Sequence, residues 1–225
     1  FDRISADHMV HTRSKTGGAL ESYISFTIRD EHTGCGIACP RKTRSQDSNR
    51  IDLKHFVGQK GAIRPNILVK SDTASEITLA VKELGWCPEP SLQNRWPHNS
   101  VHERWIGTLK SAIRAANLQA GFPVHAAEWA VPYSSVSLAL KQPCPIHDHE
   151  RDAAGNVLPG FEYKLEYTCW EMMHEGIKFC GKRPIFGQLL YYLDHKKNTL
   201  LEKTSPGIFI GWKIESGYRY RGVLF

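Results

Sequence analysis

No apolar run in the sequence approaches eighteen residues, which excludes a membrane-spanning helix. Also missing are the nucleophile-elbow pattern G-x-S-x-G, the phosphate loop G-x-x-x-x-G-K-[ST] and the dinucleotide fingerprint G-x-G-x-x-G. Their absence argues against an α/β-hydrolase, a P-loop nucleotidase or a dinucleotide-dependent dehydrogenase. The six cysteines include no C-x-x-C and have no histidine at finger spacing, in a chain too long to need a disulfide framework; a reducing compartment is expected. Neither an internal repeat nor a heptad is present. No basic-then-apolar leader or lipidation motif is visible, and the opening at Phe1 rather than Met reads as that of an excerpt, with addressing signals to be sought outside it.

What is present suits a folded protein. Apolar side chains make up 41% and charged ones 23% of 225 residues, enough to bury a core and too balanced for wholesale disorder. That length allows one large domain or a medium domain with a small companion, and the second is expected here. Lys plus Arg exceed Asp plus Glu by 29 to 23, a net charge of +6, which makes a polyanion the natural partner class.

Hydrophobic periodicity orders the chain. Residues 4–10 and 23–28 read as strands, and residues 36–39 return antiparallel to the second after a turn at 30–34. A short helix is expected around Ile51, His55 and Phe56, followed by a strand at 66–69 whose continuous apolar run suits burial on both faces. Thr73 and Glu76 have capping-box spacing, opening a helix with the stripe Ile77, Ala80, Val81 and Leu84, closed by Gly85. Residues 86–100 read as a loop. A long helix over 101–120 carries Val101, Trp105, Leu109, Ala112, Ile113 and Ala116 on its core side, and another over 126–140 tolerates Pro132. Hairpins followed by helix-linked strands indicate a mixed α/β sheet with helices on its faces. Residues 141–164 turn to Pro, Gly, His and Asp and read as a linker or inserted loop. Beyond them a short helix at 171–174 and strands at 189–193, 208–212 and 218–223 make a small β domain.

Three carboxylates stand where such a sheet could gather them: Asp7 in the first strand, Asp72 at the end of the buried strand and Glu103 in the first turn of the long helix. Carboxylates are hard ligands for Mg²⁺; without a cation they repel, and some pKa values rise. At 100° per residue Glu103, Lys110 and Arg114 share one face of the long helix, a stripe that a DNA phosphate could follow, with Arg104 flanking it. Arg219 and Arg221 alternate with Tyr218 and Tyr220, giving the last strand a basic face and an aromatic, core-facing one. His98 and His102 lie four apart before Glu103, but a zinc hydrolase of the H-E-x-x-H type places its Glu between the two.

The segment Ser71-Asp72-Thr73-Ala74-Ser75-Glu76-Ile77 resembles the S-D-N-G-x-E-F segment of copia-type retrotransposon integrases. Pro97-His98-Asn99-Ser100-Val101-His102-Glu103-Arg104 is similar to their N-G-V-x-E-R. Thr27-Ile28-Arg29-Asp30-Glu31 is similar to F-x-D-D, Thr168-Cys169-Trp170-Glu171 to T-P-Y-E, and Phe186-Gly187 to F-G-C. Residues 206–212 with Gly217-Tyr218-Arg219 resemble G-I-F-V-G-Y and its following G-Y-R.

The resemblance spans nearly the whole chain. It implies a ribonuclease-H-like α/β core over residues 1–140, a linker over 141–164 and a small SH3-like β domain over 165–225. It further implies that Asp7, Asp72 and Glu103 hold two Mg²⁺ or Mn²⁺ ions, with 3′-end processing and strand transfer of DNA as the reaction and His8 or His102 as optional general bases. Asn99, Arg104, Lys110, Arg114, Arg219 and Arg221 are the candidate DNA contacts, the five cations from the helix and strand faces described above, for element ends and target DNA alike. A homo-oligomer and a nuclear location go with the same resemblance.

The chain also departs from the family. Thirty residues separate Asp72 from Glu103, about five fewer than is usual, or roughly one and a half helical turns. Two family glycines are replaced by Ala74 and Ser100, which restricts the backbone near the site. Asp2 competes with Asp7 for the first position, a catalytically decayed nucleic-acid-binding remnant is the alternative function, and a ribonuclease of the same fold stays open.

Overall fold

A computed structural model describes residues 2–10, 24–91, 100–123, 126–193 and 204–224. Its first half is one five-stranded sheet: β1 (Arg3–Val10), β2 (Ile24–Asp30), β3 (Gly36–Arg41), β4 (Leu68–Ser71) and β5 (Cys87–Pro90), in the order β3-β2-β1-β4-β5. The first three strands form an antiparallel meander, and β4 and β5 run parallel to β1. The intervening helices are α1 (Gln46–Ala62), α2 (Ser75–Glu83), α3 (Ser100–Ala120) and α4 (Ala127–Lys141). A mixed sheet of this order and direction with helices on its faces is the ribonuclease-H-like arrangement.

Period-two patterning sorts the strand side chains. Ile4 and Ala6 of β1 and Phe26 and Ile28 of β2 pack with Leu53 and Phe56 of α1 and Ile77 and Val81 of α2. Met9 and Ala38 join a second cluster with Trp105, Leu109 and Ile113 of α3 and Ala130 and Val131 of α4. Trp105 presses so closely on β3 that a Cβ on Gly36 would lie 2.5 Å from its ring.

Several elements differ from expectation. α1 is longer than its periodicity suggested, because Ser45 caps it by accepting from the Ser48 N–H at 3.2 Å, and it continues through a kink at Gly58. The stretch read as a loop contains β5, an edge strand, where Pro88 and Pro90 remove donors that the sheet does not need. Leu68, read as buried, is 41% exposed, and Val101, read as core, is 47% exposed. No capping box opens α2: its N-cap is Ala74, without a side-chain bond.

The stretch 141–164, expected as a linker or inserted loop, holds buried side chains of its own. Lys164 and Glu150 are both buried, 0% and 2% exposed, and form an ion pair; Glu150 Oε2 also accepts the His147 N–H at 2.8 Å. Burial opposes ionisation of Glu150, but the bonds from Lys164 and His147 prevail and hold its carboxyl below the usual range. α5 (Cys169–Met173) follows, with a capping box between Thr168 and Glu171.

The C-terminal strands form two two-stranded sheets, β6 (Leu189–Leu193) with β7 (Thr204–Ile208) and β8 (Gly211–Glu215) with β9 (Arg219–Leu224). Pro206, expected in a turn, lies within β7. Phe209, Trp212 and Tyr218 enter the cluster that holds Phe26 and Phe56. Gly58 adopts φ 78°, ψ 173°, a region essentially confined to glycine, and a Cβ there would lie 2.8 Å from the Gly217 Cα. The Gly217 N–H donates to the His55 carbonyl at 2.9 Å, and the Tyr218 hydroxyl donates to the Gly36 carbonyl at 2.9 Å. The tip of the β8–β9 hairpin is thus seated in the kink of α1. Among the described residues no helix is long and apolar enough to cross a membrane.

Candidate functional site

Strand register places the first two carboxylates. β1 and β4 pair in parallel, Ser5 opposite Lys70. Asp7, inside β1, and Asp72, just past the C-terminal end of β4, each lie two residues farther, beyond the point where the β1–β4 pairing stops. Crevices beyond such strand ends are where open α/β sheets bind ligands. Asp7 Oδ1 accepts the His8 N–H at 2.6 Å, and Asp72 Oδ1 accepts the Ala74 N–H at 3.2 Å at the entrance to α2.

The third carboxylate comes from α3, which crosses β1 with Met9 against its apolar stripe. Its outward edge faces a cavity of about 420 Å³ lined by Asp7, His8, Met9, Val10, Glu103, Ile106, Gly107 and Lys110. Asp7 and Glu103 therefore face one space, with Lys110 two turns along the helix. Asp72, just past β4, is not part of that lining, but its charge is felt at Asp7. The Asp7 carboxyl is pushed up from 3.8 to about 6, first by burial and then by the charges of Asp72 and Glu103, while the His8 N–H and Arg44 oppose the rise. Asp2, the competing candidate, is exposed at the other end of β1 and pairs with Arg64 at 3.4 Å.

Two histidines flank the carboxylates. His8 is packed tilted on Phe26; its Nε2–H donates to Asn49 Oδ1 at 3.2 Å, with Glu76 Oε1 4.0 Å from Nδ1. Burial lowers its pKa. Glu76, read as a cap, turns instead toward this imidazole. His102 is fully buried, with Nε2 2.9 Å from the Thr27 hydroxyl. Burial first, and then the Arg29 charge, pushes its pKa down to about 3, so it is neutral and enclosed, which removes it as a general base.

The candidate DNA contacts fall in different places. Lys110 lines the cavity. Arg104 and Arg114 are exposed on α3, outside that lining, Arg114 donating to Ser111 Oγ at 3.3 Å. Arg219 and Arg221 lie on β9, the first donating to the Ser216 carbonyl at 3.1 Å and the second 3.5 Å from Glu215; the structure does not bring them to the cavity. Tyr218 and Tyr220 do face inward, Tyr218 edge-on to Phe56 and Tyr220 against Phe179. Asn99 and His98 lie outside the described residues.

Thr27, Arg44, Asn49 and Gly107 belong to the surroundings of the site and were not singled out from the sequence. Gly107 did carry a signal: with Glu103 and Lys110 it makes i, i+4, i+7 spacing on one helix face, in a helix interior where glycine is unfavourable.

The donor set suits Mg²⁺ or Mn²⁺ in kind, being three hard oxygen donors whose charges converge on a carboxyl that resists ionisation without a cation. Among the described residues, however, no three His, Cys, Asp or Glu side chains are drawn close enough together to hold one metal ion. The carboxylates are gathered at one edge but not clenched.

No family model matches the chain, and no curated protein matches it. Among solved structures it is similar to the catalytic core domain of BIV integrase, at 17% identity and a TM-score of 0.44, covering 73% of this chain and 94% of that one. A likeness of that degree carries no weight of its own, and the fold assignment stands on strand order, strand direction and helix placement.

Proposed function

We propose that the chain is the catalytic core and adjoining β segment of a copia-type retroelement integrase, carrying out phosphoryl transfer on DNA ends. The observation that carries this reading is that Asp7 and Asp72 both lie two residues beyond the last pair of the parallel β1–β4 ladder, with Asp7 and Glu103 lining one cavity. The family likeness of the segments around Asp72 and Glu103 supplies the reaction class. Asp7, Asp72 and Glu103 would hold the divalent cations, which when bound activate the attacking oxygen and stabilise the leaving one. Lys110, on the same wall as Glu103, would pair with a backbone phosphate at the cavity mouth. Met9 and Ile106 supply an apolar wall that limits water, and the exposed Arg104 and Arg114 extend positive charge along α3. No protein nucleophile is called for, since water or a DNA 3′-hydroxyl attacks.

Duplex DNA carrying the ends of the parent element, incubated with Mg²⁺, should yield trimmed 3′ ends and joined products. Asp72→Asn and Glu103→Gln should each abolish both while DNA binding by fluorescence anisotropy stays within about threefold, because these side chains serve charge development rather than uniform binding. Equal strand transfer by Asp72→Asn would overturn the assignment. The absence of a tight three-ligand group among the described residues favours a second reading, a decayed copy that still binds nucleic acid. That reading requires binding that weakens steeply with salt and no metal-dependent product.

A further inference from the structure

In the first turn of α3, Val101, Glu103 and Arg104 are all exposed, and His102 is the one fully buried side chain. Helix ends fray unless something ties them, and here the tie is polar. The Thr27 hydroxyl donates to the Asp7 carbonyl at 2.8 Å, and His102 Nε2 lies 2.9 Å from the same hydroxyl oxygen. A hydroxyl has one hydrogen to give. With that hydrogen on Asp7, the imidazole must donate Nε2–H to Thr27. The other tautomer would bury an N–H at Nδ1, an atom without a hydrogen-bond partner among the described residues, and orphaned buried N–H groups are the rarer and costlier kind. Thr27 and Asp7 are direct partners in the β1–β2 ladder, so both bonds end on rigid sheet.

We propose that His102 is a positioning residue: through the Thr27 hydroxyl it ties the first turn of α3 to the backbone of Asp7, and so fixes where Glu103 stands relative to Asp7. This rests on the reading of Glu103 and Asp7 as metal-holding carboxylates. His102 touches no reacting atom. It sets the separation of two groups that do, using two hydrogen bonds and one residue step along the helix. The ordinary alternative is a core histidine that contributes stability alone.

Two measurements on the full chain separate these. Long-range ¹H–¹⁵N spectra of the wild type, labelled at histidine, should show His102 as the neutral Nε2–H tautomer; an Nδ1–H signal would overturn the proposal without reference to activity. Mn²⁺ affinity is then measured by electron paramagnetic resonance. His102→Leu and Thr27→Val should each weaken it about tenfold, the range found when groups behind metal ligands are removed, and the double variant should be no worse than either single, because both remove one linkage. His102→Gln, whose amide N–H can reach the same hydroxyl, and Thr27→Ser should stay within about threefold of wild type. Losses that multiply in the double variant, or Mn²⁺ affinity unchanged while the melting temperature falls, would overturn the positioning role. A wild type that binds no Mn²⁺ would overturn the reading of the carboxylates and this role with it, even with the imidazole bond seen intact.

Discussion

Asp7→Asn should make the protein more stable, by an amount that depends on pH in a particular way. The folded chain raises the Asp7 carboxyl from 3.8 to about 6, so between those values the folded state keeps a proton that the unfolded state has released. Stability therefore falls as pH rises through this window, at about 1.4 kcal/mol per pH unit, and is level above it. The accumulated loss at pH 7.5 is about 3 kcal/mol. Asparagine keeps an oxygen to accept the His8 N–H and carries no charge to bury or to set against Asp72 and Glu103, so it avoids that loss. Urea titrations of the two proteins should give equal stability near pH 3.5 and a variant about 3 kcal/mol more stable at pH 7.5. For a chain of this length that is about 6–12 °C in melting temperature. Added Mg²⁺ should narrow the gap by stabilising wild type alone. A variant no more stable than wild type at pH 7.5, or equally more stable at both pH values, would refute the account of Asp7.

Other substitutions probe the frame around the site. Gly58→Ala should destabilise by about 3 kcal/mol or more in chemical denaturation, since it combines a glycine-only backbone region with a Cβ 2.8 Å from the Gly217 Cα. Lys164→Met alone should cost about 3–5 kcal/mol by stranding buried Glu150, whereas Lys164→Met with Glu150→Leu should recover most of the loss. Gly107→Ala should stabilise by up to about 1 kcal/mol in thermal unfolding, because an added methyl there meets nothing within 4 Å. Lys110→Ala should reduce the slope of log affinity against log salt for duplex DNA by about one, with little change in sequence preference; an unchanged slope would remove Lys110 from the DNA-facing wall.

The parts of the fold visible in the sequence are those with a strong period. The hairpin of β2 and β3, the α3 stripe of Trp105, Leu109 and Ile113, and the positions of Asp7, Asp72 and Glu103 on a strand, a strand end and a helix follow from spacing alone. What stayed hidden depends on contacts remote along the chain. β5 is masked by Pro88 and Pro90, which an edge strand tolerates and a central one would not. Glu76 has capping-box spacing from Thr73, yet α2 begins one residue later than that box requires, and the carboxylate turns to His8. Glu150 and Lys164, fourteen residues apart in a stretch of tether-like composition, give no local sign that they will be buried together. The pairing of His102 with Thr27 is invisible for the same reason, since only the folded ladder sets Thr27 beside Asp7.

Gly36 ties the two ends of the polypeptide together. Its missing side chain admits Trp105 of the helix that carries Glu103, and its carbonyl receives Tyr218 from the far end of the chain. A fragment cut after residue 140 would retain all three acidic groups yet leave that carbonyl without its partner, and would strip Phe209, Trp212 and Tyr218 from the cluster that holds Phe56. Such a fragment would be a half-filled vessel, prone to clump through its opened side, and the terminal hairpin is better regarded as a stopper for the first half than as a detachable module.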